Sequence, residues 1–128
     1  PANKFNEKKH GFRLSTVEEN TNNLDQIYST IKKYIPNASV IYTLSPIPLM
    51  ATFRPQSCIT ANSISKSILR VSLDNVISKN IDKGGLYYFP SYEITKEYFI
   101  DPFTEDNRHL KDECTLEIMK IFEESYCC

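Results

Sequence analysis

Glycine is scarce in this chain, with three residues in 128 (Gly11, Gly84 and Gly85), and tryptophan is absent. A nucleophilic serine on a sharp strand-to-helix turn needs small neighbours, so the usual serine-bearing turn has few places to form. Histidine is almost as rare, with only His10 and His109, and no C-x-x-C pair accompanies the four cysteines. That argues against a zinc site, and neither a metal nor a cofactor is expected. Apolar runs are short, Val40 to Leu44 being among the longest, against the roughly 20 residues that span a bilayer. Charge of one sign is missing too: 15 basic and 16 acidic residues leave a formal net charge of -1, no footprint for nucleic acid or an anionic membrane.

The opening stretch from Pro1 to His10 has no apolar core and does not read as a signal peptide. Cys58, Cys114, Cys127 and Cys128 are too irregular for a disulfide framework, so a reducing cytoplasm is the expected setting. The adjacent Cys127 and Cys128 read as an exposed terminus rather than a metal or redox site, and His10 as a solvated residue in a lysine-rich start. Beginning at Pro1 rather than Met, the chain reads as cut from something longer.

What is present is enough apolar material, 41% of residues, for one modest core and a single domain or part of one. Ser15-Thr-Val-Glu18 has capping-box spacing, and Leu24, Ile27, Tyr28, Ile31, Tyr34 and Ile35 recur at helical intervals until Pro36. A helix over about 16–35 is predicted. Val40 to Leu44 is β-branched and apolar without alternation, as in a strand buried on both faces of a parallel sheet. Residues 46–59, with Pro46, Pro48 and Pro55, read as a loop at that strand's C-terminal end, where ligand sites usually form.

From about Ala61 a second helix follows, carrying Ile64, Ile68, Leu69, Val71, Leu73, Val76 and Ile77 on a wide apolar face. Leu86-Tyr-Tyr-Phe89 reads as a second buried strand ended by Pro90, followed by a long loop and a last helix with Cys114, Ile118, Ile121 and Phe122 on one face. Helices alternating with strands predict a parallel α/β sheet. Two short strands alone make a poor sheet, so further strands are expected before Pro1.

The candidate chemistry is Asp106-Asn107-Arg108-His109. An aspartate three residues before a histidine on a tight segment can hold the imidazole in one tautomer and leave its other nitrogen free to take a proton from a serine. Imidazoles titrate near neutrality, which suits that task. The bland reading is that Asp106 or Asn107 turns the loop while His109 lies on the surface. No serine here completes the set convincingly: Ser45 precedes Pro46, which offers no amide donor, and Ser63-Ile-Ser-Lys66 has no companion motif of a serine/lysine enzyme. Lys66, Arg70 and Asp74 fall at i, i+4 and i+8, a solvated stripe with an Arg70–Asp74 pair, or else a contact for an anion. Glu93 reads as a loop-orienting residue and Ser91 stands where the strand leaves the sheet.

Three segments read together, Thr43-Leu-Ser-Pro-Ile-Pro48, Tyr88-Phe-Pro-Ser-Tyr-Glu93 and Asp106-Asn-Arg-His109, with Ala61-Asn-Ser-Ile-Ser-Lys66 and Leu69-Arg70 between them, resemble the GSCFA family. This is a bacterial group related to the SGNH (GDSL-like) esterases and acyltransferases, and the resemblance runs from about Phe12 to Phe122. It implies that residues 1–128 are the C-terminal portion of a single three-layer α/β/α, SGNH-like (flavodoxin-like) parallel-sheet domain. The serine and oxyanion hole would come from earlier blocks. Asp106 and His109 match the family's final Asp-x-x-His block, where proline often follows the histidine and Leu110 stands here. The implied activity is hydrolysis or acyl transfer on a small-molecule or carbohydrate ester, with no nucleic acid or membrane as partner. A non-catalytic α/β binding or scaffolding domain is the competing expectation.

Overall fold

The computed structural model describes residue 6 and residues 8–127. Helix α1 spans Val17–Tyr34. Its capping box lies one residue later than expected, on Thr16 and Glu19 instead of Ser15 and Glu18: Thr16 Oγ1 accepts from the Glu19 amide at 3.1 Å and the Glu19 carboxylate accepts from the Thr16 amide at 2.9 Å. Both registers fit the spacing, but only Glu19 also takes the Arg13 guanidinium, at 2.8 Å. The Thr16 amide first, and then Arg13, hold the Glu19 carboxyl below its ordinary value. Lys32 and Lys33 complement the dipole at the other end.

Strand β1, Val40–Thr43, pairs in parallel with β2, Leu86–Phe89, in the register Val40↔Leu86 to Thr43↔Phe89. Helix α2, Cys58–Asn80, is the crossover between them. At 1.5 Å per residue it runs for about 34 Å. It begins three residues before Ala61 because Ser57 caps it, Oγ accepting from the Thr60 amide at 3.2 Å. Ala61, Leu73 and Val76 face inward, whereas Val71, expected on the apolar face, is exposed. Too many apolar positions were assigned to one side for all of them to be covered.

The interior polar groups of α2 join it to α1. Ser72 Oγ donates to the carbonyls of Ile68 and Val17, and Asn80 Nδ2 donates to Asp25 Oδ1 and the Val76 carbonyl, at 2.8 and 2.9 Å. Tyr28, 2% exposed, reaches the carbonyl of Gly84 at 2.8 Å. Gly84 and Gly85 both have φ of 68°, a left-handed turn that glycine adopts without strain. The Gly85 carbonyl then accepts from the Val40 amide at 2.8 Å, which starts the strand pairing.

The expected long loop after β2 is partly helical. Residues Ser91–Glu93 form a first turn, α3, which continues as a π-helix over Ile94–Tyr98. Thr95, fully buried, donates from Oγ1 to the Ser91 carbonyl at 2.8 Å, so the turn closes on itself. The final helix, α4, spans Asp112–Tyr126 and buries Cys114 and Ile118. Phe122 meets Phe89 edge-on, with ring centroids 5.1 Å apart, and the Tyr126 hydroxyl donates to the Tyr88 carbonyl at 3.0 Å.

Helices therefore lie on both faces of the strand pair. The Tyr42 hydroxyl reaches the Leu24 carbonyl of α1, and Arg70 of α2 stacks over the Tyr88 ring, while Tyr87 and Phe89 turn to α4. The molecule is mixed α/β with a small parallel sheet. The strands are less buried than their apolar sequences suggest: of the eight paired residues only Val40 and Phe89 are buried, and Tyr87 is 45% exposed. One helix on the α4 side cannot cover both strands. Among the described residues, no helix is long and apolar enough to cross a membrane.

Asn80→Ala removes a buried amide, takes one donor from Asp25, which keeps Lys79, and takes the acceptor from Lys83. It should lower unfolding free energy by about 1–3 kcal/mol in urea denaturation, with the slope unchanged.

Candidate active site

Residues between α3 and α4 fold back as a small hairpin. Phe103 and Leu110 form an antiparallel bridge, the Thr104 amide donates to the His109 carbonyl at 2.8 Å, and the Lys111 amide to the Pro102 carbonyl at 2.9 Å. Neither bond uses the Leu110 amide, so leucine where the family often has proline leaves the closure intact. The tip turns on Asn107, whose φ of 55° is in a region that asparagine tolerates better than most residues.

Asp106 organises this tip. Its Oδ1 accepts from Thr104 Oγ1 at 2.8 Å, the Arg108 amide at 2.9 Å and the His109 amide at 3.0 Å, while Oδ2 lies 2.5 Å from His109 Nδ1. The two readings of the tetrapeptide, loop-turner and histidine-orienter, are thus one arrangement. The His109 amide, followed by the imidazole, the Arg108 amide and Thr104, holds the Asp106 carboxyl far below the usual carboxylate range. With a carboxylate at Nδ1, the neutral imidazole carries its proton there and keeps its lone pair on Nε2. No hydrogen bond among the described residues engages Nε2, and the His109 side chain is 65% exposed.

The serines weighed from sequence are elsewhere engaged or unpaired with this histidine. Ser45 Oγ accepts from the Ile47 amide at 3.3 Å, and the Ser45 carbonyl takes Lys66 Nζ at 2.5 Å, so Lys66 turns to that carbonyl rather than to Ser63. Buried Ser91 shares a hydrogen bond with Thr43 at 2.6 Å and donates to the Leu44 carbonyl. Among the described residues, no serine hydroxyl is bonded to His109. In the opening turn, His10 Nδ1 accepts from the Asn6 amide. Cys127 is exposed, and Cys128 lies outside the described residues.

Arg70 does approach Asp74, at 3.4 Å, but its shorter bond is to Glu93, at 2.8 Å from Nε. The Tyr88 hydroxyl donates to the same carboxylate at 2.8 Å. Burial first, and then Glu93, push that hydroxyl well above its ordinary value. Glu93 therefore pins α3 to α2 and β2, a structural role of the kind expected, although Arg70 is too far from it in sequence for spacing to reveal that partner.

Sequence reasoning missed three features of the site. Thr104 supplies a fourth donor to Asp106, which no spacing rule anticipates. Arg108 sends Nη1 to within 3.3 Å of the Met50 sulfur, and its Nε has no acceptor. Its position brings the 46–59 loop against the hairpin, and Pro48, Leu49, Met50, Ile59, Asp106 and Arg108 line a cavity of about 460 Å³ between them. The proline-rich loop announced a ligand site only by its place at a strand end.

A family model for the GSCFA family matches residues 1–122, and the chain belongs to that family. No curated protein and no solved structure matches it significantly.

The depressed Asp106 carboxyl stabilises the hairpin above the ordinary aspartate value of 3.8, and that contribution is lost as pH falls below it toward the folded value. At neutral pH, Asp106→Asn should shift His109 away from the Nδ1-protonated tautomer in ¹⁵N NMR. It should also speed amide exchange at Arg108 and His109 by about tenfold, since neutral acceptors bind more weakly than charged ones.

Proposed function

We propose that this member of the GSCFA family carries the acid–base arm of an SGNH-like ester hydrolase or acyltransferase, with His109 as general base and then general acid and Asp106 as its orienter. Family membership is compatible with hydrolase-like function. The observation that carries the reading is the Asp106 Oδ2 to His109 Nδ1 bond, with Nε2 left open to an incoming group. A carboxylate already holding three other donors cannot swing away, so the imidazole is preorganised.

The serine and its oxyanion hole lie outside these 128 residues on this proposal, which makes the chain the C-terminal portion of a single three-layer α/β/α domain. Helices on both faces of the strand pair, and a free edge on each strand, support it. The serine oxygen bonds to the ester carbonyl carbon as His109 Nε2 takes its proton. The carbon–oxygen bond to the leaving alcohol then breaks, and that oxygen receives the proton from Nε2. Water, or the hydroxyl of an acceptor such as a sugar, repeats the sequence on the acyl-serine and releases acid or new ester. Asp106 stays ionised throughout and balances the imidazolium. The substrate is a small-molecule or carbohydrate ester in the cytoplasm, with no cofactor, nucleic acid or membrane involved.

The exposure of His109 also suits a non-catalytic binding domain, and kinetics separate the two. In the intact protein acting on a short acyl ester, His109→Ala should lower kcat by about 10³-fold or more and Asp106→Asn by about 10²–10⁴-fold, with KM changed little. The 128-residue chain alone should be inactive. Undiminished hydrolysis by His109→Ala would sink the catalytic reading.

A further inference from the structure

The segment between β1 and α2 exposes an unusual amount of apolar surface for a loop. Leu49 is 42% exposed, Met50 76% and Ile59, at the start of α2, 84%, and Ile47 and Phe53 are exposed as well. Large apolar side chains grouped this way on a water-facing surface mark a binding site more often than chance scatter. Leu49, Met50 and Ile59, with Pro48, line the cavity that Asp106 and Arg108 also line. Its volume of about 460 Å³ falls among small-molecule sites, which run from roughly 300 to 1,000 Å³.

The polar part of the lining is Asp106, Asn107 and Arg108, with one charge of each sign. Both Asp106 oxygens are occupied by the hairpin's own donors, so that carboxylate is spoken for. Arg108, by contrast, has no carboxylate partner among the described residues; its Nη1 rests on the Met50 sulfur and its Nε has no acceptor. An apolar wall beside a guanidinium that holds no carboxylate fits an amphiphile with an oxygen-bearing head. The residue that follows Arg108 is the candidate base.

We propose that this groove receives the acyl chain of the ester, an unbranched chain of medium length. Its carbonyl end lies toward Arg108, the lining residue next in the chain to His109, and its methylenes run along Pro48, Leu49, Met50 and Ile59. The inference rests on the reading of Asp106 and His109 as an acyl-transfer pair, and it adds the substrate class. An acetyl group leaves the apolar wall wet, whereas a longer chain covers it. Full burial of a methylene favours binding by up to about fourfold, and an open groove should realise about twofold.

Two measurements on the intact protein test this. On p-nitrophenyl esters from acetyl through butanoyl and hexanoyl to octanoyl, kcat/KM should rise about twofold per methylene, or roughly 60-fold across the series. Ile59→Asp should bring the octanoyl-to-acetyl ratio to within about threefold of unity, since a carboxylate on the wall repels the chain. Separately, octanoate titrated into the His109→Ala variant should give saturable NMR shifts at the Met50 and Ile59 methyls, and Ile59→Asp should weaken that binding at least about tenfold. A flat chain-length series with no octanoate shifts overturns the groove even where His109→Ala abolishes activity. A rising series that Ile59→Asp leaves unchanged puts the chain elsewhere and overturns it too. Octanoate binding alongside full activity in His109→Ala supports the groove and removes the catalytic reading instead.

Discussion

Two parallel strands of four residues cannot be joined by a turn: the chain must travel back the full length of the sheet before the second strand begins. Helix α2 is that return, and most of the architecture follows from it. Because β1 and β2 run the same way, both leave the sheet at the same end, where Thr43 pairs with Phe89 and Thr43 shares a hydroxyl hydrogen bond with Ser91. The 46–59 loop and α3 are delivered to that end together. The hairpin between α3 and α4 then meets the loop through Arg108 and Met50. Open α/β sheets place ligand sites outside the carboxyl ends of their strands for this geometric reason.

Within the hairpin one carboxylate serves two purposes that a sequence reader sets against each other. Asp106 terminates three bonds that shape the turn, and the same group bonds the imidazole. Neither can be altered without the other. The Arg70, Tyr88 and Glu93 cluster is the comparable device in the body of the domain, where a partly buried carboxylate joins a helix, a strand and a helical turn. There Tyr88 and Glu93 share one short segment but Arg70 comes from the crossover helix, and that partner has no signature in the order of residues.

That contrast explains how much was legible. Hydrophobic periodicity located α1, α2 and α4, and short apolar runs both strands, because each is written in adjacent residues, and Asp-x-x-His named the pair because its geometry is also local. Boundaries decided by which of several local caps forms slipped: the capping box moved by one residue to the register in which Glu19 meets Arg13, and α2 began at Cys58 because Ser57 caps it. Residues 91–98 read as loop, and the turn they form is held by the Thr95 bond back to Ser91 and by the long-range bond from Arg70 to Glu93. The apolar content of β1 and β2 described what such strands prefer to touch, not what these 128 residues place on the α4 side.

Every bond that orients His109 through Asp106 comes from residues within three positions of that aspartate. Hairpins of this size close in roughly 1–10 μs, whereas joining β1 to β2 requires ordering the whole crossover first. In kinetic terms His109 and Asp106 belong to the fast, low-contact-order part of the chain. The bonded Asp106–His109 arrangement can therefore form, melt and re-form many times while the sheet beneath it is still being assembled.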